Sequence, residues 1–220
     1  LLKRANFPLI TITLPDLYAL GGQFFLWEMA TSIACFFLEI NPFDQPDVEG
    51  SKMKTREILQ TYKEKRILPQ ISEISVSARK KSLELLLSQA QPGDYIAIQA
   101  FLQPTPEIGQ ALQSLRLRLR DKTRLAVTYG FGPRFLHSTG QLHKGDCGKG
   151  LFIQLEAKDA RDLPIPDQPD SPYSTFSFGL LKRAQALGDW EALREKGRRA
   201  IHFNLGKNAL KGLEKLTSLV

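Results

Sequence analysis

The strongest constraint on this chain is an alternation. Residues 95–102, 124–129 and 151–157 are short runs rich in β-branched, aromatic and other apolar side chains. The segments between them are long enough for a helix, and Pro104, Pro106, Gly130 and Gly132 punctuate the ends of the first two runs. From Pro106 onward, Ile108, Leu112, Leu115 and Leu119 recur at helical spacing, and residues 77–90 put Leu83, Leu86, Leu87 and Ala90 on one helical face. Strands alternating with helices of ~10 or more residues predict an α/β fold, a sheet with flanking helices. The 220 residues suffice for one large domain or two small ones, and a hydrophobic content of 42% supports a packed core.

The first part of the chain reads differently. Residues 8–14 predict a strand, closed by Pro15, and Asp16 predicts a helix cap. Residues 23–40 are apolar on nearly all sides, which predicts a helix buried inside the protein, with Glu28 paired or hydrogen-bonded because an isolated buried charge is costly. The run carries Glu28 and Glu39 and falls short of the ~20 apolar residues of a membrane span. Asn41-Pro42 stops it, since the residue before a proline is biased away from the helical region. Residues 48–62 predict a second helix with Lys52 in its first turns. Residues 65–75 and the proline-punctuated 164–172 read as connectors, and residues 175–179 as a short strand or a helix lead-in. Residues 180–187 read as helix, Gly188-Asp189 as a cap and restart, and residues 190–219 as one or two helices, with His202 structural.

Charge and motifs exclude several function classes. The net charge is +7, but acids interleave with the basic runs, as in Lys54-Thr55-Arg56-Glu57 and Lys63-Glu64-Lys65-Arg66. That pattern marks solvated helix faces and not a nucleic-acid patch, while a mildly basic protein suits anionic small molecules. Cys35 and Cys147 belong to no Cys-x-x-Cys pair, so neither zinc nor a disulfide framework is expected, and a reducing cytoplasm is the expected setting. There is no phosphate-loop or dinucleotide fingerprint: Gly130-x-Gly132 is followed at once by Pro133. No cofactor and no metal are expected. His137 and His143 stand too far apart for a helical metal pair. Together with Ser138, Thr139, Arg134 and Lys144 they read either as a phosphate-binding loop or as a packed, hydrogen-bonded one.

The stretch Asn41-Pro42-Phe43-Asp44-Gln45-Pro46-Asp47-Val48-Glu49-Gly50-Ser51-Lys52 sets a carboxylate, an amide, a second acid and a lysine just after the apolar run. It resembles the C-terminal signature of glucose-6-phosphate isomerases, in which Phe-Asp-Gln is followed by Val-Glu and then a lysine. Gly22-Gln23-Phe24-Phe25-Leu26-Trp27-Glu28 before it is similar to the family's last helix. Two later segments look like the C-terminal extension of bacterial isomerases of the kind often fused behind a transaldolase. They are residues 129–145, and Asp162-Leu163-Pro164-Ile165-Pro166 with Phe178-Gly179 and residues 184–189. The chain departs from the family at Asp47, where a small residue is usual, at Cys35 and Phe37, and in the loop of residues 144–150.

The resemblance implies the end of a sugar-isomerase-type sandwich over residues 1–64 and an appended α/β subdomain over residues 65–220. It implies interconversion of glucose 6-phosphate and fructose 6-phosphate by ring opening and enediolate proton transfer. Lys52 matches the family lysine that assists ring opening, and Gln45 the glutamine lining the substrate pocket. His137, Arg134 and Lys144 are the further candidate substrate-binding residues. The family's phosphate loop, base glutamate and enediolate-stabilising arginine have no counterpart here, so the chain reads as the C-terminal part of a longer enzyme, inactive alone. Its expected partners are a sugar-phosphate substrate, the remainder of the enzyme and a second copy of itself, with no nucleic acid and no membrane. Whether a transaldolase domain precedes it stays open. The alternative is a sugar-phosphate-binding or regulatory module without catalysis.

Overall fold

The apolar run at the start of the chain folds as helix α1 (Ala19–Phe37). This computed structural model describes residues 2–71 and 74–220. The backbone divides into a unit ending at Asp44 and a second unit, Gln45–Val220. In the first, the Asp16 carboxylate accepts from Ala19 N–H at 2.9 Å, and Glu39 in the left-handed region (φ 57°) turns the chain after the last helical turn. The expected burial of α1 is not found. Phe24, Trp27, Phe36 and Phe37 are 61, 56, 78 and 79% exposed, and Glu28 is exposed too, so it needs no partner. All-round hydrophobicity reports a tendency to be covered, and covering requires a second surface. Residues 8–14 are likewise not a strand: the backbone there has no regular structure, and Ile10 is exposed. Among the described residues no helix is long and apolar enough to cross a membrane.

The second unit opens with α2 (Pro46–Lys65) and α3 (Arg79–Leu87). Then strands and helices alternate: β1 (Tyr95–Phe101), α4 (Pro106–Thr123), β2 (Ala126–Phe131), α5 (Ser138–Gly145), β3 (Gly150–Glu156). A short antiparallel pair follows, β4 (Pro164–Ile165) with β5 (Phe176–Ser177), and then α6 (Phe178–Glu195), β6 (Arg199–Asn204) and α7 (Ala209–Ser218). The main sheet has the order β2-β1-β3-β6, every pair parallel. This is the predicted α/β fold. The chain steps from β1 out to β2, then crosses to the other side of β1, the arrangement that leaves ligand crevices outside the carboxyl ends of the strands.

The strand period of two separates the sheet's faces. Ile96, Ile98, Leu151, Ile153, Leu155, Ile201 and Phe203 point to one side, where α3, α4 and α7 supply Leu83, Leu86, Leu112, Leu115, Leu119, Leu213 and Leu216. The helical spacing read in residues 106–120 is the stripe that faces this core. On the other side Ala97 and Phe152 meet Leu193 of α6, and Phe101 meets Phe135 and Ala186. Helix α2 lies outside α6 and joins it through Ile58, Ala184 and Leu187.

Two expectations near the C-terminus change. Residues 199–204 are strand β6 and not helix: Gly197 at φ 64° ends the turn after α6, and Ile201 and Phe203 then alternate into the apolar core. Helix α6 runs unbroken through Gly188-Asp189. Gly188 is needed because a Cβ there would lie 2.6 Å from Thr55 Oγ1 and 3.0 Å from Thr55 N, so the glycine lets α6 and α2 approach closely. The start of α6 is held by Asp162, which accepts from Ser177 Oγ at 2.6 Å and Gly179 N–H at 2.7 Å.

Candidate functional site

The signature begins at the amino end of α2. Gln45 occupies the cap position, where its carbonyl accepts from Val48 N–H at 3.1 Å and Glu49 N–H at 3.2 Å, and Pro46 is pre-set for the first helical position. Asp47 and Glu49 place negative charge in the first turn, against the positive end of the helix dipole. Asp47 also meets α5 in a reciprocal pair of hydrogen bonds. Its N–H donates to Gln141 Oε1 at 3.0 Å, and Gln141 Nε2 donates to Asp47 Oδ2 at 2.9 Å. Lys196 adds an ion pair to Asp47 at 2.8 Å.

One cavity of about 310 Å³ lies between α2 and the loop leaving the carboxyl end of β2. Lys52 and Arg56 line it from the helix, and Arg134 and His137 from the loop. Gln185 of α6 completes the polar lining, while Val48, Pro133 and Leu136 supply apolar wall. The hydroxyls of Ser51 and Thr55 are spent on the helix itself, donating to Asp47 O at 3.2 Å and Ser51 O at 2.9 Å. Lys52 Nζ lies 2.6 Å from Glu49 Oε1, three residues earlier, and that hydrogen bond holds the Glu49 carboxyl below its usual range. Three basic side chains therefore border the cavity, and no carboxylate is among its lining residues.

The structure brings Lys52, Arg134 and His137 together and separates two of the other candidates from them. Gln45 serves the helix cap with its backbone and is not in the lining. Lys144 is 1% exposed and turned inward, donating to Asp189 Oδ1 at 2.6 Å and Gly140 O at 3.2 Å. An inward lysine beside a fully buried carboxylate is an internal ion pair, out of reach of the cavity. Burial raises the Asp189 pKa, and the Lys144 charge opposes that rise. The two histidines of the loop also part company. His137 is exposed at the cavity, while His143 is 5% exposed, ringed by Tyr95, Phe135 and Phe152, with Nδ1 3.1 Å from Gln99 Nε2. Burial, with the Lys144 charge second, lowers its pKa to about 4, so it is neutral at ordinary pH.

Arg56 and Gln185 were missed in the sequence. Arg56 sits four residues after Lys52 on a predicted helix, a spacing that places both on one face and would have found it. Gln185 is one polar residue in a run of small ones, with nothing local to distinguish it. Gly132 has a packing reason: a Cβ there would lie 2.6 Å from the Phe101 ring. The glycine-bearing loop of residues 144–150 is braced by Arg198, which donates to Lys144 O and Asp146 O and lies 3.3 Å from the Asp146 carboxylate. Among the described residues no group of three or more His, Cys, Asp or Glu is placed to hold a metal.

No family model matches the chain. Over 47 residues it is 45% identical to the glucose-6-phosphate isomerase of Latilactobacillus sakei subsp. sakei (strain 23K). That match covers 20% of this chain and 10% of that protein, a short and partial likeness that hints at an isomerase. A crystal structure of a hypothetical protein from Thermus thermophilus superposes on 77% of this chain and 43% of its own, at 17% identity and a TM-score of 0.49. A likeness of that size supports no functional reading.

Proposed function

We propose that the chain is the C-terminal part of an aldose–ketose isomerase that interconverts glucose 6-phosphate and fructose 6-phosphate. The observation that carries this reading is the meeting of Lys52, the signature lysine, with Arg134 and His137 in one cavity. The 47-residue likeness to an isomerase supports it. Ring opening needs a proton donor and acceptor, and the proton shift between C2 and C1 passes through an enediolate whose negative charge a nearby cation stabilises. Lys52 is suited to the sugar end: its ammonium offers three donors and a charge, and Glu49 keeps it oriented at the helix surface. The glutamate that moves the proton, the main phosphate loop and an arginine at the enediolate belong to the remainder of the enzyme in this reading. That enzyme acts as a homo-oligomer in the cytoplasm, the setting that suits the free thiols of Cys35 and Cys147.

The second reading, a sugar-phosphate-binding module without catalysis, is favoured by one observation. The cavity lies wholly within residues 45–220 and its lining includes no carboxylate to act as a base. The two readings separate on an isomerase assay of the longest natural protein containing this chain, with Lys52→Ala beside it. The isomerase reading expects turnover to fall by ~10²–10³, the usual cost of removing one group that stabilises a developing oxyanion. Unchanged turnover, or substantial turnover by the isolated 220-residue chain, would sink it.

A further inference from the structure

We infer that Arg56 and Arg134 form an oxyanion clasp in this cavity, a subsite for the phosphoryl group of a sugar phosphate held between α2 and the loop after β2. The inference deepens the sugar-phosphate reading and rests on it. Arg56 lies four residues beyond Lys52, about 6 Å further along the helix axis on the same face. Arg134 reaches the same space from the loop, so a ligand between them is held by two separate elements. Among the described residues neither guanidinium makes a hydrogen bond or a close ion pair, and both side chains are exposed at the cavity. Lys52 differs in degree: Glu49 hydrogen-bonds it at 2.6 Å, whereas Arg56 meets the same carboxylate only through its charge. The guanidiniums therefore keep their hydrogen-bond donors free for a ligand. Planar guanidinium forks match the geometry of a phosphoryl group, giving paired, charge-assisted hydrogen bonds. His137 and Gln185 beside them add hydrogen-bonding groups that suit sugar hydroxyls.

The division of labour is then spatial. The oxyanion binds Arg56 and Arg134, and the carbohydrate portion extends toward Lys52. Where an upstream loop of the intact enzyme takes the substrate's own phosphate, this clasp is a second oxyanion subsite. The same chemistry would accept a sugar carboxylate, and the choice of probes distinguishes the two.

The test is a titration of the chain followed by calorimetry and by amide and guanidinium NMR shifts, with inorganic phosphate, fructose 6-phosphate, fructose and gluconate as separate probes. Inorganic phosphate and fructose 6-phosphate are expected to bind, with affinity falling as salt rises, and fructose to bind about tenfold or more weakly than its phosphate. Arg56→Gln and Arg134→Gln should each weaken phosphate binding by about tenfold or more, while Lys52→Gln weakens inorganic phosphate binding less than either and weakens fructose 6-phosphate binding more than it weakens inorganic phosphate binding. Both arginines are exposed, so the variants should melt with the parent, and the thermal midpoint checks this. Phosphate binding indifferent to both arginines, or no binding at all, overturns the clasp. Gluconate binding more tightly than phosphate overturns the phosphoryl assignment. If the clasp fails while Lys52→Ala still stops isomerisation in the longer protein, the isomerase reading survives alone. If the clasp holds while Lys52→Ala leaves isomerisation intact, the binding module is the better account.

Discussion

The two faces of the parallel sheet are built on opposite plans. The face under α3, α4 and α7 is a continuous aliphatic layer, from Ile96 and Leu151 to Leu213, closed to water. The face under α5 and α6 buries Gln99, Gln154 and His202 on the strands themselves, with His143, Lys144 and Asp189 above them. These groups have specific partners: Gln154 donates to Ala186 O at 3.0 Å, and His202 Nε2 lies 2.9 Å from Glu156 Oε2. Parallel strands covered on both sides usually read as unbroken hydrophobic runs, and here one side does not. The apolar face only needs volume filled. The polar face lies under the helices that carry the cavity, and directional bonds fix where α5, α6 and thus α2 sit. Non-directional burial supplies stability, and the directional network supplies placement.

Breaking the polar face should cost most. Lys144→Ala strands the Asp189 carboxylate in the interior and should destabilise the second unit by ~3–5 kcal/mol in denaturant unfolding. The pair Lys144→Met with Asp189→Leu should recover most of that loss, because both charges leave together. If it does, the comparison sharpens: ligand binding to the recovered variant should still be weaker than in the parent, since the placement has gone. On the apolar face Leu112→Ala, at a fully buried position, should cost about 2–5 kcal/mol and leave the cavity's ligand affinity unchanged in the folded fraction. An equal loss of binding there would mean the two faces are not separable.

A pH series probes the polar face without a mutation. His143 titrates at about 4 in the folded chain against an ordinary value of 6.5. Between those values the unfolded chain takes up a proton that the folded chain refuses. Stability from this group is therefore complete above pH ~6.5 and falls as the pH drops toward ~4, by on the order of 3 kcal/mol in all. His143→Gln should flatten that part of the stability–pH curve. The smallest expected effect is at Gly188→Ala, where the new methyl meets Thr55; overpacking there should cost about 1–3 kcal/mol. It should also weaken sugar-phosphate binding, because relief requires α2 to move, and with it Lys52 and Arg56.

The contrast between faces also explains what was legible. The aliphatic stripe of α4 and the strand cores were readable because period and hydrophobicity coincide there. The candidate lysine and the loop of Arg134 and His137 were recognisable as motifs, yet their meeting in one cavity depends on packing across α6, which no local pattern encodes. Lys144 reads as a ligand-binding cation because sequence does not say which side of a short helix faces inward. Gly188-Asp189 read as a break because a glycine and an acid together signal a turn. Here each answers a distant partner, Thr55 for the glycine and Lys144 for the acid. Strand β6 was hidden by the basic residues that open it, and α1 misled in the other direction, its sequence promising burial that residues 1–44 do not provide.

The reciprocal bonds between Asp47 and Gln141 link positions 94 residues apart. Position 47 is where this chain departs from the signature it resembles, and there the aspartate ties the first turn of α2 to α5. Gln141→Ala leaves the Asp47 carboxylate its ion pair with Lys196, whereas Asp47→Ala removes the acceptor of both Gln141 Nε2 and Lys196, so the aspartate should be the costlier loss. The start of the signature helix is thereby anchored to α5, so a change at either end of this link should be felt at the other.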